Sequence, residues 1–67
     1  MTSTTTALAF EAGEEFVVLL WRQEQFELLG FDSVDARLLA ESSADLGDAR
    51  RLRRAGCPVA LAFRILA

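Results

Sequence analysis

Ala55-Gly56-Cys57-Pro58 restricts this chain more tightly than any other stretch of it. The residues before it, Asp45–Arg54, end in arginines, which are stabilising where a helix presents the negative end of its dipole. Gly56 follows at the point where a helix stop asks for positive φ, a conformation that a residue without a Cβ adopts at least cost. Pro58 lacks an N–H and holds φ near −65°, which suits the first turn of a new helix. Two short helices are therefore predicted on either side of the joint, an arginine-rich one over 45–54 and an almost wholly apolar one over 58–66. Gly30 does earlier what Gly56 does here, and Phe31 follows it as an apolar plug.

The longest periodic element precedes Gly30. Over Glu14–Leu29, Val18, Trp21, Phe26, Leu28 and Leu29 gather on one side at 100° per residue, with Gln23, Glu24 and Glu27 opposite. That pattern predicts an amphipathic helix. Phe16 and Leu20 point toward the polar side, so Phe16–Trp21 is apolar all round. The run admits a rival reading, a hairpin with arms Ala7–Phe10 and Phe16–Trp21, although a lone two-stranded hairpin is weakly stable. After Phe31, Asp32 or Ser33 can cap a helix over 33–42, and Ser43 or Asp45 can cap the next.

The expected fold is all-α, a compact bundle of four short helices at about 14–29, 33–42, 45–54 and 58–66. It forms a single domain over 13–67, preceded by a frayed, threonine-rich tail over 1–12, with Gly13 at the boundary. The expected core is Val18, Phe26, Leu29, Phe31, Leu38, Leu39, Leu46, Leu52, Leu61, Ala62 and Ile65.

At 67 residues the chain supports one domain, and a chain of this size buries only about 60% of its unfolded surface. Cys57 is the only cysteine, so no disulfide framework adds stability. With 52% hydrophobic residues the chain is too apolar to stay disordered. Association with a protein partner or with a second copy is a natural source of further stability. Charge is divided unevenly. Residues 1–35 hold seven acids and one arginine, −6, whereas residues 36–67 hold six arginines and three acids, +3. The two halves attract, within one chain or between copies.

No constellation for catalysis emerges. Without histidine the usual neutral-pH base is missing, and a lone Cys57 cannot build a zinc site of the nitrogen and sulfur kind. Gly13, Gly30, Gly47 and Gly56 lie too far apart for a phosphate-cradling loop. Glu11, Glu14 and Glu15 read as a solvated helix start. The expectation is no enzyme, no catalytic residue, no cofactor, no metal and no small-molecule substrate. Met1–Thr6 lacks the positive region of a signal peptide, and Phe16–Trp21 is far short of the roughly 20 residues of a membrane span. The cytoplasm is the default compartment.

Trp21-Arg22, Gln25-Phe26, Leu29-Gly30-Phe31, Asp45-Leu46, Ala49-Arg50, Gly56-Cys57-Pro58, Leu61-Ala62 and Arg64-Ile65-Leu66 together resemble small uncharacterised helical proteins of GC-rich bacteria, a likeness that implies no particular activity. Leu29-Gly30-Phe31, with Asp45-Leu46 and Ala49, is also similar to ubiquitin-associated domains. In that three-helix family the Gly-Phe loop and the end of the third helix grip a partner's hydrophobic patch. Arg50 and Arg53 stand where the family has apolar residues, and a fourth helix is added.

Two function classes follow. In the first, the chain is a protein-interaction module, because the fourth helix and Phe16–Trp21 carry more apolar side chains than one core face can bury. Val59, Phe63 and Leu66 share one side of the fourth helix, Leu61 and Ile65 another. The expected interface comprises Phe16, Leu20, Phe63 and Leu66. In the second, Arg50, Arg51, Arg53 and Arg54 hold the phosphates of a nucleic acid across a helix-turn-helix outline. The net charge of −3 favours the first.

Overall fold

The computed structural model describes the backbone of residues 2–67 and the side chains of residues 13–67. Four helices follow one another: α1 (Thr2–Leu28), α2 (Ser33–Glu41), α3 (Leu46–Arg54) and α4 (Val59–Leu66). No strand occurs among the described residues, so Phe16–Trp21 is helical and the hairpin is excluded. The backbone of α1 begins well before the expected Glu14. Gly13 does not interrupt it, since a glycine within a helix costs only about 1 kcal/mol relative to alanine and neither a proline nor a good N-cap residue adjoins it. The frayed tail expected over 1–12 concerns residues whose side chains lie outside the described set.

Both glycine stops close in the same way. After α1, Gly30 N–H donates to Glu27 O (2.9 Å) and Phe31 N–H to Phe26 O (3.3 Å). After α3, Gly56 N–H donates to Arg53 O (3.1 Å) and Cys57 N–H to Leu52 O (2.9 Å). This paired pattern is the Schellman stop, which needs positive φ at its glycine. Gly30 and Gly56 have φ of 108° and 91°. The first stop also brings Phe31 onto Phe26, their rings edge to face with centroids 6.0 Å apart. Asp32 caps α2 by accepting from Asp35 N–H (2.7 Å), and Asp45 caps α3 by accepting from Asp48 N–H (2.9 Å). Pro58 sits one residue earlier than expected, at the N-cap of α4, where its carbonyl accepts from Ala62 N–H.

Two large side chains, Phe26 and Leu39, are fully buried. Around them lie Phe31, Leu46 and five alanines, Ala36, Ala40, Ala44, Ala49 and Ala62. Such small side chains let backbones approach closely. Along its C-terminal part α1 packs chiefly on α2, while α4 packs on α3 and α2, with no Cα of α4 within 8 Å of one of α1 among the described residues.

Part of the expected core is corrected. Val18, Leu38, Leu61 and Ile65 are exposed rather than buried. On α1 the inward face is Leu19, Arg22, Phe26 and Leu29, which share one side at helical spacing. An arginine on that side turned the hydrophobic average toward Val18 and Trp21. The apolar α4 had two candidate sides, and the core takes the one carrying Val59, Ala62, Phe63 and Leu66.

Truncating the central ring should have a large effect. Phe26→Ala is expected to cost about 3–5 kcal/mol, comparable to the whole stability of a domain this small. Leu38→Ala, on an exposed position, should change stability by no more than about 0.5 kcal/mol. Urea titration followed by circular dichroism measures both.

Candidate interaction surface

A helix leaves its last four carbonyls without intrahelical partners, and this chain satisfies several of them with arginine. Arg22 reaches from α1 to the end of α2, where its guanidinium donates to Ala40 O (3.1 Å), Leu39 O (3.3 Å), Ser42 O (3.4 Å) and Ala44 O (2.7 Å). The same group lies 5.5 Å from the Phe26 ring centroid, a favourable cation–π distance. Sequence reasoning missed this role. The signal available was that Arg22 is the only cation among the first 35 residues.

Arg53 joins the two glycine turns. Its Nε donates to Leu29 O (2.7 Å) and its Nη1 to Cys57 O (2.6 Å). A Cβ at Gly30 would come within 3.2 Å of Arg53 Nη2 and 3.3 Å of Val59, so this glycine is held by space as well as by φ. Arg50 Nη2 donates to Gln25 Oε1 (3.0 Å). Arg51 pairs with Asp48 on its own helix, and Arg37 with Glu41 (2.8 Å) on α2. Arg54 and Arg64 are exposed, with no hydrogen-bond or ion-pair partner among the described residues.

The cluster expected to face phosphate is thus divided. Arg50 and Arg53 turn inward onto neutral oxygens, Arg51 is engaged by Asp48, and Arg54 faces solvent. Arg50 and Arg53 meet a glutamine and carbonyls rather than the acids of α1. Among the described residues no group of histidine, cysteine or carboxylate side chains is arranged to hold a metal ion, and no helix is long and apolar enough to cross a membrane.

The four side chains expected at a protein interface also separate into two places. Phe16 and Leu20 are exposed on α1, at 55% and 41%. Phe63 and Leu66 are half-buried against the core. With Phe16 and Leu20 on open surface and Phe63 and Leu66 packed against the core, the four form no single exposed patch within one chain.

What α1 does expose is a continuous segment: Val17, Val18 and Trp21 stand open beside Phe16 and Leu20, with only Leu19 turned toward the core. Glu14, Glu15, Glu24 and Glu27 are exposed around it. A groove of about 410 Å³ runs beside this segment, bounded by Phe16, Val18, Leu19, Arg22 and Ala40. A second groove, of about 560 Å³, lies between the start of α3 and the end of α4, lined by Ala44, Asp48, Leu52, Ile65 and Leu66 among others. On α4 the open side carries Leu61, Arg64 and Ile65.

No family model, curated protein or solved structure matches this chain, so the two resemblances rest on their motifs alone. The structure does place Phe31, of the Leu29-Gly30-Phe31 loop, inside the core against Phe26 rather than on the surface.

Arg53 and Arg54 are neighbours with opposite environments, which makes them a direct comparison. Arg53→Ala removes a charged donor from two carbonyls and should destabilise the fold by about 2 kcal/mol. Arg54→Ala should stay within about 0.5 kcal/mol. Equal losses in urea titrations of the two variants would refute the role given to Arg53.

Proposed function

We propose that this chain is a protein-interaction module, binding rather than catalysing, whose contact surface is the open apolar segment Phe16–Trp21 of α1. The observation that carries this reading is the simultaneous exposure of Phe16, Val17, Val18, Leu20 and Trp21. Such a patch is on the order of several hundred Å², a size that monomeric soluble proteins rarely leave bare outside a functional surface.

Burial of each such side chain contributes roughly 1.5–3 kcal/mol, enough in sum to offset much of the cost of association. Tryptophan and phenylalanine are also enriched in protein interfaces, where tryptophan often anchors the contact. The core does not need these residues, being built from Phe26, Phe31, Leu39, Leu46 and the alanines. The surrounding glutamates favour a partner surface that carries cations. A chemical role lacks comparable support, since the chain has no histidine and one cysteine. Nucleic-acid binding has only part of the expected arginine cluster to draw on.

A photo-crosslinking residue at position 17 tests this in cells. It should give covalent protein adducts that vanish when Leu20→Glu is added, while the helical spectrum of the purified variant is unchanged. The same residue at position 34, exposed on α2, should give none of these adducts. Absence of adducts from positions 17, 20 and 21 alike would refute the reading.

A further inference from the structure

The charges left unpaired by the fold point to what covers α1. The two ion pairs among the described residues, Arg37–Glu41 and Asp48–Arg51, are each internal to one helix. Glu14, Glu15, Glu24 and Glu27 of α1 therefore stay without a cation, and Arg54 and Arg64 stay without a carboxylate. Glu27 receives only the Gln23 amide (3.3 Å). Each unpaired set borders exposed apolar side chains. The acids of α1 border Val17, Leu20 and Trp21, and Arg64 stands between Leu61 and Ile65, themselves 47% and 58% exposed. Both surfaces combine an apolar strip with charge, and the charges are opposite in sign.

Within one chain they do not satisfy each other: among the described residues no carboxylate of α1 pairs with Arg54 or Arg64, and no Cα of α1 lies within 8 Å of one of α4. Other self-pairings bring like charges together. Two α1 helices side by side, in either direction, set glutamates against glutamates, since the only arginine on the described part of α1 is directed into the end of α2. Two α4 helices set Arg64 against Arg64. Like charges across an interface are unfavourable. Of these three pairings, α1 against α4 alone joins apolar to apolar and acid to base.

The geometry points to a second copy of this chain as the occupant: α1 of one copy, through Val17, Leu20 and Trp21, lies on the Leu61–Ile65 side of α4 of the other, with Glu24 and Glu27 facing Arg54 and Arg64. A two-fold arrangement makes this contact twice, so that both apolar strips of both copies are covered in a closed dimer. This assignment rests on the interaction-module reading and names its partner.

Light scattering or sedimentation on the purified full chain, from micromolar to several hundred micromolar, should report a mass twice that of the 7.4 kDa chain. Glu24→Arg/Glu27→Arg on α1, or Arg54→Glu/Arg64→Glu on α3 and α4, should each weaken the dimer at least tenfold, and the four changes together should restore most of the affinity. Circular dichroism reports whether each variant keeps its helices. Should a charge reversal disturb the fold, Leu61→Ser and Val17→Ser supply the same comparison at exposed positions, each weakening the dimer. A strictly monomeric chain throughout this range overturns the assignment, and so does a dimer that the α4 changes leave intact. If the chain is monomeric while position 17 still captures a different protein in cells, the second-copy assignment fails and the interaction module stands. If neither a dimer nor an adduct is found, both fail.

Discussion

The fold depends on the meeting of Phe26 and Phe31 across the Gly30 turn. Phe26 is the third residue from the end of α1, and Phe31 is the third beyond the helix. The Schellman bond from Phe31 N–H to Phe26 O places the two rings edge to face. A hydrophobic contact between these positions commonly accompanies this stop. The contact directs the chain back along α1, which sets where α2 lies, and α2 then supplies Leu39 beside Phe26 as the other large buried side chain. Positive φ at Gly30 is the condition for all of it.

With so few large residues inside, polar contacts take on a larger share of holding the helices together. The five core alanines bury little apolar surface each but allow close approach. Arginine spans the remaining distances: Arg22 closes the end of α2, and Arg53 connects the Gly30 turn to the Gly56 turn. In both cases a cation meets carbonyls at a helix C-terminus, where the dipole is negative. Arg53 also links the α1–α2 pair to the α3–α4 pair at a point far apart in sequence, as Arg50 does through Gln25. Arginines that look like a phosphate-binding set along the chain therefore include members of the scaffold.

The same economy of core residues explains the surface. A domain built around Phe26, Leu39 and alanines has no inward position left for Phe16, Val17, Val18, Leu20 and Trp21, nor for Leu61 and Ile65. These side chains stand outside on two different helices, one flanked by acids and the other by arginine. The interaction reading and the pairing of α1 with α4 both arise from this mismatch between apolar content and core size.

Local chemistry made much of the architecture legible without coordinates. Gly30, Gly56, Pro58, Asp32 and Asp45 mark helix ends through effects confined to a few residues, namely positive φ, a missing N–H and a capping carboxylate, so four helices and nearly all their boundaries could be read directly. Phe26, Phe31, Leu39 and Leu46 were legible as core because each lies beside such a stop or on an unambiguous face. What the tertiary structure alone decided was which side of an apolar helix turns inward. Periodicity gives α4 two acceptable sides, and only packing against α2 and α3 selects Phe63 and Leu66 over Leu61 and Ile65. On α1, Arg22 occupies the buried side because carbonyls 17 to 22 residues away accept its guanidinium, a partnership between distant segments that no local pattern contains.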